Sequence, residues 1–197
     1  SLSKSDCFVL TRDSTLNRFI SKQNKCARRH IRHADNKQDQ QNNQIQNMLN
    51  DGAKVVVIAS IDGTALGPVL SQAASQNVAV IAYDRLINGS ENVDYYATFD
   101  NYKVGQLQGQ FILDNADAFK GADGTLNLEP FAGSPDDNNA KFFFSGAWDL
   151  VGPKVQSGEF TVPSGKAPKT NDEWASIGIP AWQSATAQSE MENRLNS

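Results

Sequence analysis

The sequence predicts an α/β fold with a parallel β-sheet, and three observations carry that prediction. Val55-Val56-Val57-Ile58-Ala59-Ser60 and Val78 to Tyr83 are unbroken apolar runs, the pattern of buried parallel strands. Apolar stripes at helical spacing separate such runs, as in successive βαβ units. The strands end in polar residues, namely Asp62, Asp84-Arg85 and Asp100-Asn101. In open α/β sheets ligands bind outside the carboxyl ends of the strands, so these residues mark the functional edge.

The chain has 197 residues and is 39% hydrophobic, enough for one α/β domain and part of a second. No apolar run reaches the ~18 residues of a membrane span, and no signal-peptide pattern opens the sequence. A mature or trimmed soluble protein is therefore expected. The net charge of −4 argues against nucleic acid as the main partner. Cys7 and Cys26 make neither a metal site nor a disulfide framework, although one bridge between them is chemically open. His30 and His33 are spaced to share a helix face but have no evident carboxylate or thiol partner, so no metal site is expected.

Residues 1–33 differ from the rest. They hold eight of the eighteen Lys and Arg, both cysteines and both histidines, against only Asp6 and Asp13. Cys7 to Leu10 reads as a short strand, after which neither a two-residue nor a 3.6-residue period persists. From Ala34 the pattern is regular. A helix is expected over Gln38 to Asn50, with Ile45, Met48 and Leu49 on its apolar face and Gly52 stopping it. Val55 to Ser60 is the next strand and Ile61-Asp62-Gly63-Thr64 its turn. Leu66, Val69, Leu70, Ala73 and Ala74 form a second helical stripe, followed by the strand Val78 to Tyr83. Tyr95 to Phe99 is a third strand, and Val104, Leu107, Phe111 and Ile112 give another helix. Thr125 to Phe131 is a fourth strand. A helix bearing Phe142, Phe143, Ala147, Leu150 and Val151 then ends near Gly152-Pro153. Short strands are expected at Phe160 to Val162 and Ile177 to Ile179, with a polar loop between them. A last helix over Ser184 to Leu195 presents Ala187, Met191 and Leu195.

Phosphate loops are absent: no GxGxxG follows a strand and there is no GKS or GKT. There is no GxSxG elbow, and both histidines lie in the atypical start, so a Ser–His–Asp set is not expected. The polar strand ends instead combine carboxylate, carboxamide and guanidinium. That mixture suits neutral polyols, because each sugar hydroxyl donates and accepts, and Asp accepts, Arg donates and Asn does both. Hydrogen bonds to charged groups contribute roughly 1.5–3 kcal/mol each. Trp182 adds a planar apolar face for the C–H side of a sugar ring and an N–H able to reach a hydroxyl. The stretch Gly133-Ser134-Pro135-Asp136-Asp137-Asn138-Asn139-Ala140-Lys141 follows the fourth strand and reads both as a helix cap and as a ligand-binding cluster.

Three segments together resemble the periplasmic sugar-binding proteins of ABC importers, in the xylose-binding and multiple-monosaccharide-binding branch. They are Val78-Ala79-Val80-Ile81-Ala82-Tyr83-Asp84-Arg85-Leu86-Ile87, Phe99-Asp100-Asn101-Tyr102-Lys103-Val104-Gly105, and Gly133 to Lys141. Ile58 to Thr64 adds to the likeness, which runs from about Ala34 to the C-terminus. The resemblance implies a type 1 periplasmic-binding-protein fold: two Rossmann-like lobes with parallel sheets and a sugar clamped at the hinge. Residues 1–33 are then an atypical N-terminal segment, 34–131 the N-terminal lobe, and 132–197 the hinge crossover with the first part of the second lobe. By resemblance, Asp84 and Arg85 hydrogen-bond the sugar from the first lobe, Asp137 and Asn139 from the second, and Trp182 stacks on it.

The implied protein is not an enzyme and needs no cofactor. Its partners are a monosaccharide, the membrane permease of an importer and a chemoreceptor, and it is a periplasmic or extracellular monomer. Two departures qualify the likeness. Residues 1–33 lack the family's opening strand and Lys/Arg/Trp loop, consistent with an altered reading frame or a recombined end. The second lobe is incomplete relative to the family, so sugar binding by these 197 residues is expected to be weak or absent. The alternative function is the ligand-sensing core of a LacI-type regulator, which shares the architecture but needs a helix-turn-helix that the basic start does not show. An enzyme with a Rossmann-like or aldolase-like site lacks the phosphate loop, His or Lys set it requires.

Overall fold

The computed structural model describes residues 6–11 and 28–196, which fall into two compact units dividing between Phe99 and Asp100. The first unit holds one sheet of five strands: β1 (Asp6–Thr11), β2 (Arg28–His33), β3 (Val55–Ile58), β4 (Ala79–Tyr83) and β5 (Tyr95–Ala97). Their spatial order is β2-β1-β3-β4-β5 and every pairing is parallel. The helices α1 (Gln38–Asn50) and α2 (Gly67–Ser75) connect β2 to β3 and β3 to β4. Ile45, Met48 and Leu49 of α1 and Val69, Leu70 and Ala73 of α2 pack with Val56, Ile58, Val80 and Ala82 into one core.

The expected strands are present and β2 is an additional one. β1, paired in parallel with both β2 and β3, corrects the expectation that residues 1–33 lack an opening strand. Three refinements apply. β3 and β4 bury alternate residues rather than whole runs, because Val55, Val57, Ala79 and Ile81 are half-covered on the other face. β5 is shorter than expected and exposed throughout, as befits the last strand of the order. His30 and His33 lie on a strand, where an odd spacing places side chains on opposite faces, so they do not share a face. The side chains of Cys7 and Cys26 lie outside the described residues.

In the second unit, α3 (Asn101–Asp114) packs along α4 (Asn138–Gln156), and α5 (Ser184–Leu195) comes last. Thus α3, which the sequence places in the lobe 34–131, lies in the second compact unit. Its docking face is also not the expected stripe: Leu107 and Phe111 are exposed, whereas Asn101, Gly105 and Gly109 are buried. These residues recur every fourth position, and missing side chains let the helix backbones approach. A Cβ on Gly105 would overlap the Phe143 carbonyl oxygen, and one on Gly146 the Tyr102 carbonyl oxygen. On α4 the core residues are Phe144 and Trp148, stacked with ring centroids 5.2 Å apart, while Phe142 is exposed.

The helix α4 runs through Pro153 to Gln156 instead of stopping at Gly152. Proline disfavours helix in the residue before it through a clash with that residue's Cβ. Gly152 has none, and the Trp148 indole occupies that side, 3.0 Å from where a Cβ would lie. The expected strands Thr125 to Phe131, Phe160 to Val162 and Ile177 to Ile179 reduce to two parallel bridges, Asn127 with Thr161 and Ala132 with Gly178. Pro130 stands between the bridges and has no N–H for a ladder. Residues Asn171–Ile177 form a 3₁₀ turn. On α5 the buried residue is Arg194, and Met191 and Leu195 face solvent. No helix among the described residues is long and apolar enough to cross a membrane.

Candidate functional site

In the first unit the site residues stand just past β4. Asp84 has φ +66°, a left-handed conformation that Asp tolerates better than most side chains. Its N–H donates to the Ala97 carbonyl at 2.9 Å, extending the β4–β5 ladder by one bond. The Tyr96 and Thr98 hydroxyls donate to its carbonyl at 3.2 and 3.0 Å. These bonds hold the strained residue in place. Arg85 is buried, 5% exposed, and donates from Nη1 to the Ile61 carbonyl at 2.7 Å.

That carbonyl belongs to a loop fixed from α1. The fully buried Gln41 donates to the Ala59 carbonyl at 2.9 Å and accepts from the Ile61 N–H at 3.0 Å. Its carboxamide thereby replaces the ladder bonds lost where β3 ends. Gly63 abuts Leu86, whose carbonyl oxygen fills the space of a Cβ, and Asn88 N–H donates to the Gly63 carbonyl at 3.0 Å. Asp62 closes its own turn by accepting from the N–H and hydroxyl of Thr64 at 2.8 and 2.7 Å. The loops after β3 and β4 are therefore one rigid piece.

In the second unit the stretch 133–141 and the turn Pro180–Trp182 form a single cluster. Asp137 is the N-cap of α4, accepting from the Asn139 N–H through Oδ1 at 3.0 Å. Its Oδ2 accepts from the Trp182 indole Nε1–H at 2.9 Å. Asn139 accepts through Oδ1 from Asn101 Nδ2 at 2.8 Å. Asp137, Asn139 and Asn101 are buried, and Trp182 is 41% exposed. Capping and clustering are thus performed by the same aspartate, Asp137. Asp100 caps α3 by accepting from the Lys103 N–H at 2.9 Å.

Behind this cluster Arg194 fixes α5 to the extended segment before Gly133. It donates to Glu129 at 3.2 Å, Glu190 at 3.0 Å and the Pro130 carbonyl at 2.7 Å, and lies 3.9 Å over the Phe131 ring. Burial pushes Glu129 upward, but the Ser164 hydroxyl and N–H, with Arg194, outweigh it and hold the carboxylate below its usual range. Glu190 is held low by Lys166 first and Arg194 second. A cavity of about 540 Å³ opens beside Phe131, Phe143, Trp148, Ile179 and Trp182. It is apolar and omits Asp137 and Asn139, so it does not have the lining a polyol needs.

The structure thus brings Asp137, Asn139 and Trp182 into one hydrogen-bonded set and places Asp84 and Arg85 side by side on a braced turn. Sequence reasoning missed Gln41 and gave Asn101 no role. Gln41 lies four residues before Ile45, on the apolar stripe of α1, which is the signal of a buried polar side chain. Asn101 stood among the polar strand ends without a role, and only its place opposite Asn139 reveals one. Together these groups offer oriented acceptors, carboxamides and an indole, the chemistry of recognition by hydrogen bonding.

Residues 20–197 match the family model described as a periplasmic binding protein domain. The chain is 52% identical to the multiple sugar-binding periplasmic protein SbpA of Azospirillum brasilense, over 78% of this chain and 41% of that one. It is 35% identical to the D-xylose-binding periplasmic protein of Escherichia coli, over 84% of this chain and 44% of that one. An ABC transporter solute binding protein from Clostridium phytofermentans, solved with bound β-D-glucose, is similar with a TM-score of 0.83 and 40% identity, over 98% of this chain and 60% of its own. The chain therefore spans less than half the length of these curated relatives. On the matched residues and the shared α/β architecture, the chain belongs to the periplasmic binding protein domain family.

Proposed function

We propose that the chain binds a monosaccharide, xylose or a related aldose, and acts as the solute-binding component that delivers it to an ABC-type importer. The observation that carries this reading is the Asp137–Asn139–Trp182 cluster. It gathers a carboxylate, a carboxamide and an aromatic face, from the stretch 133–141 and the turn Pro180–Trp182, into one hydrogen-bonded set. Hydroxyl groups paired with an apolar C–H face are what such a set complements. Asp84 and Arg85, on their braced turn, are the matching polar groups of the first unit. The names of the relatives support sugar as the ligand class and the periplasm as the location. The partners on this reading are the sugar, the importer's permease and a chemoreceptor that reads the bound form, and the protein works as a monomer without chemistry of its own. Closure of two lobes about hinges is the mechanism by which such binders signal occupancy.

Calorimetric titration with xylose, glucose, arabinose and galactose tests the reading. Weak but saturable heat with at least one sugar, and recovery of that sugar unchanged afterwards, is the expected result. Conversion of the sugar, or binding to random-sequence DNA in a gel shift with no response to any sugar, overturns it.

A further inference from the structure

Trp182 sits on a backbone that its sequence does not favour. Ala181 and Trp182 are consecutive residues with φ +52° and +54°, and neither is glycine. Left-handed conformations cost non-glycine residues roughly 1 kcal/mol or more each and persist only where the surroundings impose them. Three neighbours do so here, all within one stretch of five residues. Ser134, 1% exposed, accepts the Ala181 N–H through Oγ at 2.7 Å, which pins the first of the two strained residues. Gly133 leaves the space into which the indole lies, since a Cβ there would overlap Cη2, Cζ2 and Cζ3 of Trp182. Asp137 takes the indole Nε1–H at 2.9 Å and sets the rotation of the ring.

We infer that Gly133, Ser134 and Asp137 are positioning residues that fix Trp182 as a platform contributing only its ring face. The single N–H donor of the indole is committed to Asp137. The ring is therefore left with its π-surface, which attracts the C–H side of a sugar and is indifferent to hydroxyl configuration. Trp182 on this account supplies affinity by stacking, and discrimination among aldoses comes from the carboxylate, carboxamide and guanidinium groups. This inference rests on the sugar-binding reading for its purpose, but the seat itself is independent of any ligand.

Two arms test it separately. In the sugar-free protein, the Trp182 indole N–H signal is assigned in a ¹⁵N–¹H spectrum by its loss in Trp182→Phe. Asp137→Asn is expected to move that signal upfield and speed its exchange. Ser134→Ala is expected to move it as well, although the Ser134 hydroxyl bonds the backbone of Ala181 and not the indole, and Ser134→Thr, which keeps the hydroxyl, is expected to restore it. An unmoved signal in Ser134→Ala overturns the seat, even if thermal stability falls. In the second arm, with whichever of glucose or xylose binds, Trp182→Phe keeps a face without the N–H and is expected to lose under threefold in affinity, against tenfold or more for Trp182→Ala. Equal losses overturn the face-only role. Absence of binding by the parent protein counts against the proposed function and leaves the first arm to decide the seat.

Discussion

Asn101 Nδ2 donates to Asn139 Oδ1 across 2.8 Å, joining the first turn of α3 to the first turn of α4. Both side chains are buried, so Asn139 is at once a candidate sugar ligand and a structural link. Asn139→Ala is therefore expected to do more than weaken sugar binding by tenfold or more. Stability should fall by about 1–2 kcal/mol through the lost bond and the buried donor it served. Urea denaturation checks this, with a lowered midpoint at unchanged slope as the expected outcome.

Gly105 and Gly146 face each other's helices where α3 crosses α4, each beneath a backbone carbonyl of the other. Backbone atoms cannot swing aside as a flexible side chain can. Gly105→Ala or Gly146→Ala is expected to destabilise by about 1–3 kcal/mol, despite the higher helix propensity of alanine. Gly67, the first residue of α2, has open space around its missing Cβ and serves as the control. Thermal melts of the three variants should show Gly67→Ala unchanged and the other two lowered.

Arg194 and Glu129 form a pair whose side chains are 2% and 10% exposed. Removing one partner of such a pair strands the other, and Arg194→Ala is expected to cost about 3 kcal/mol. The same pair sets an acid limit. Glu129 and Glu190 both have carboxyls held below their usual values. A depressed folded pKa contributes stability that is fully present above the unfolded value and is lost as pH falls through the folded one. Melting temperature should accordingly hold near neutral pH and decline below about pH 4.3, the unperturbed Glu value. Arg194→Met should flatten that decline; an unchanged acid profile in this variant would refute the assignment.

Much of the first unit was legible because its burial follows periodicity: Ile45, Met48 and Leu49 on α1, and the β-branched run of β3, are where their spacing puts them. The second unit was read less well, for physical reasons. The face of α3 that docks is defined by absent side chains, Gly105 and Gly109, and a reading that seeks apolar bulk selects Leu107 and Phe111 instead. On α5 a charged residue, Arg194, is the buried one, because Glu129, the Pro130 carbonyl and the Phe131 ring together replace its water. The dual use of Asp137 as cap and indole acceptor was likewise invisible, since Trp182 lies 45 residues away in sequence. What sequence did supply was the list of polar groups at strand ends. Of those, Asp62 and Asp100 turn out to serve local backbone, whereas Asp84 and Arg85 remain candidates for the ligand.

The central claim is that Asp84, Arg85, Asp137, Asn139 and Trp182 bind a monosaccharide. It is tested most directly by titrating the isotopically labelled 197-residue protein with D-xylose and D-glucose and following ¹⁵N–¹H spectra, which register even millimolar affinity. The account predicts saturable shifts concentrated at these five residues and their immediate neighbours, and their loss in Asp84→Asn, which keeps the left-handed turn while removing the charge. Saturable shifts located elsewhere, or an undiminished response in Asp84→Asn, would contradict it.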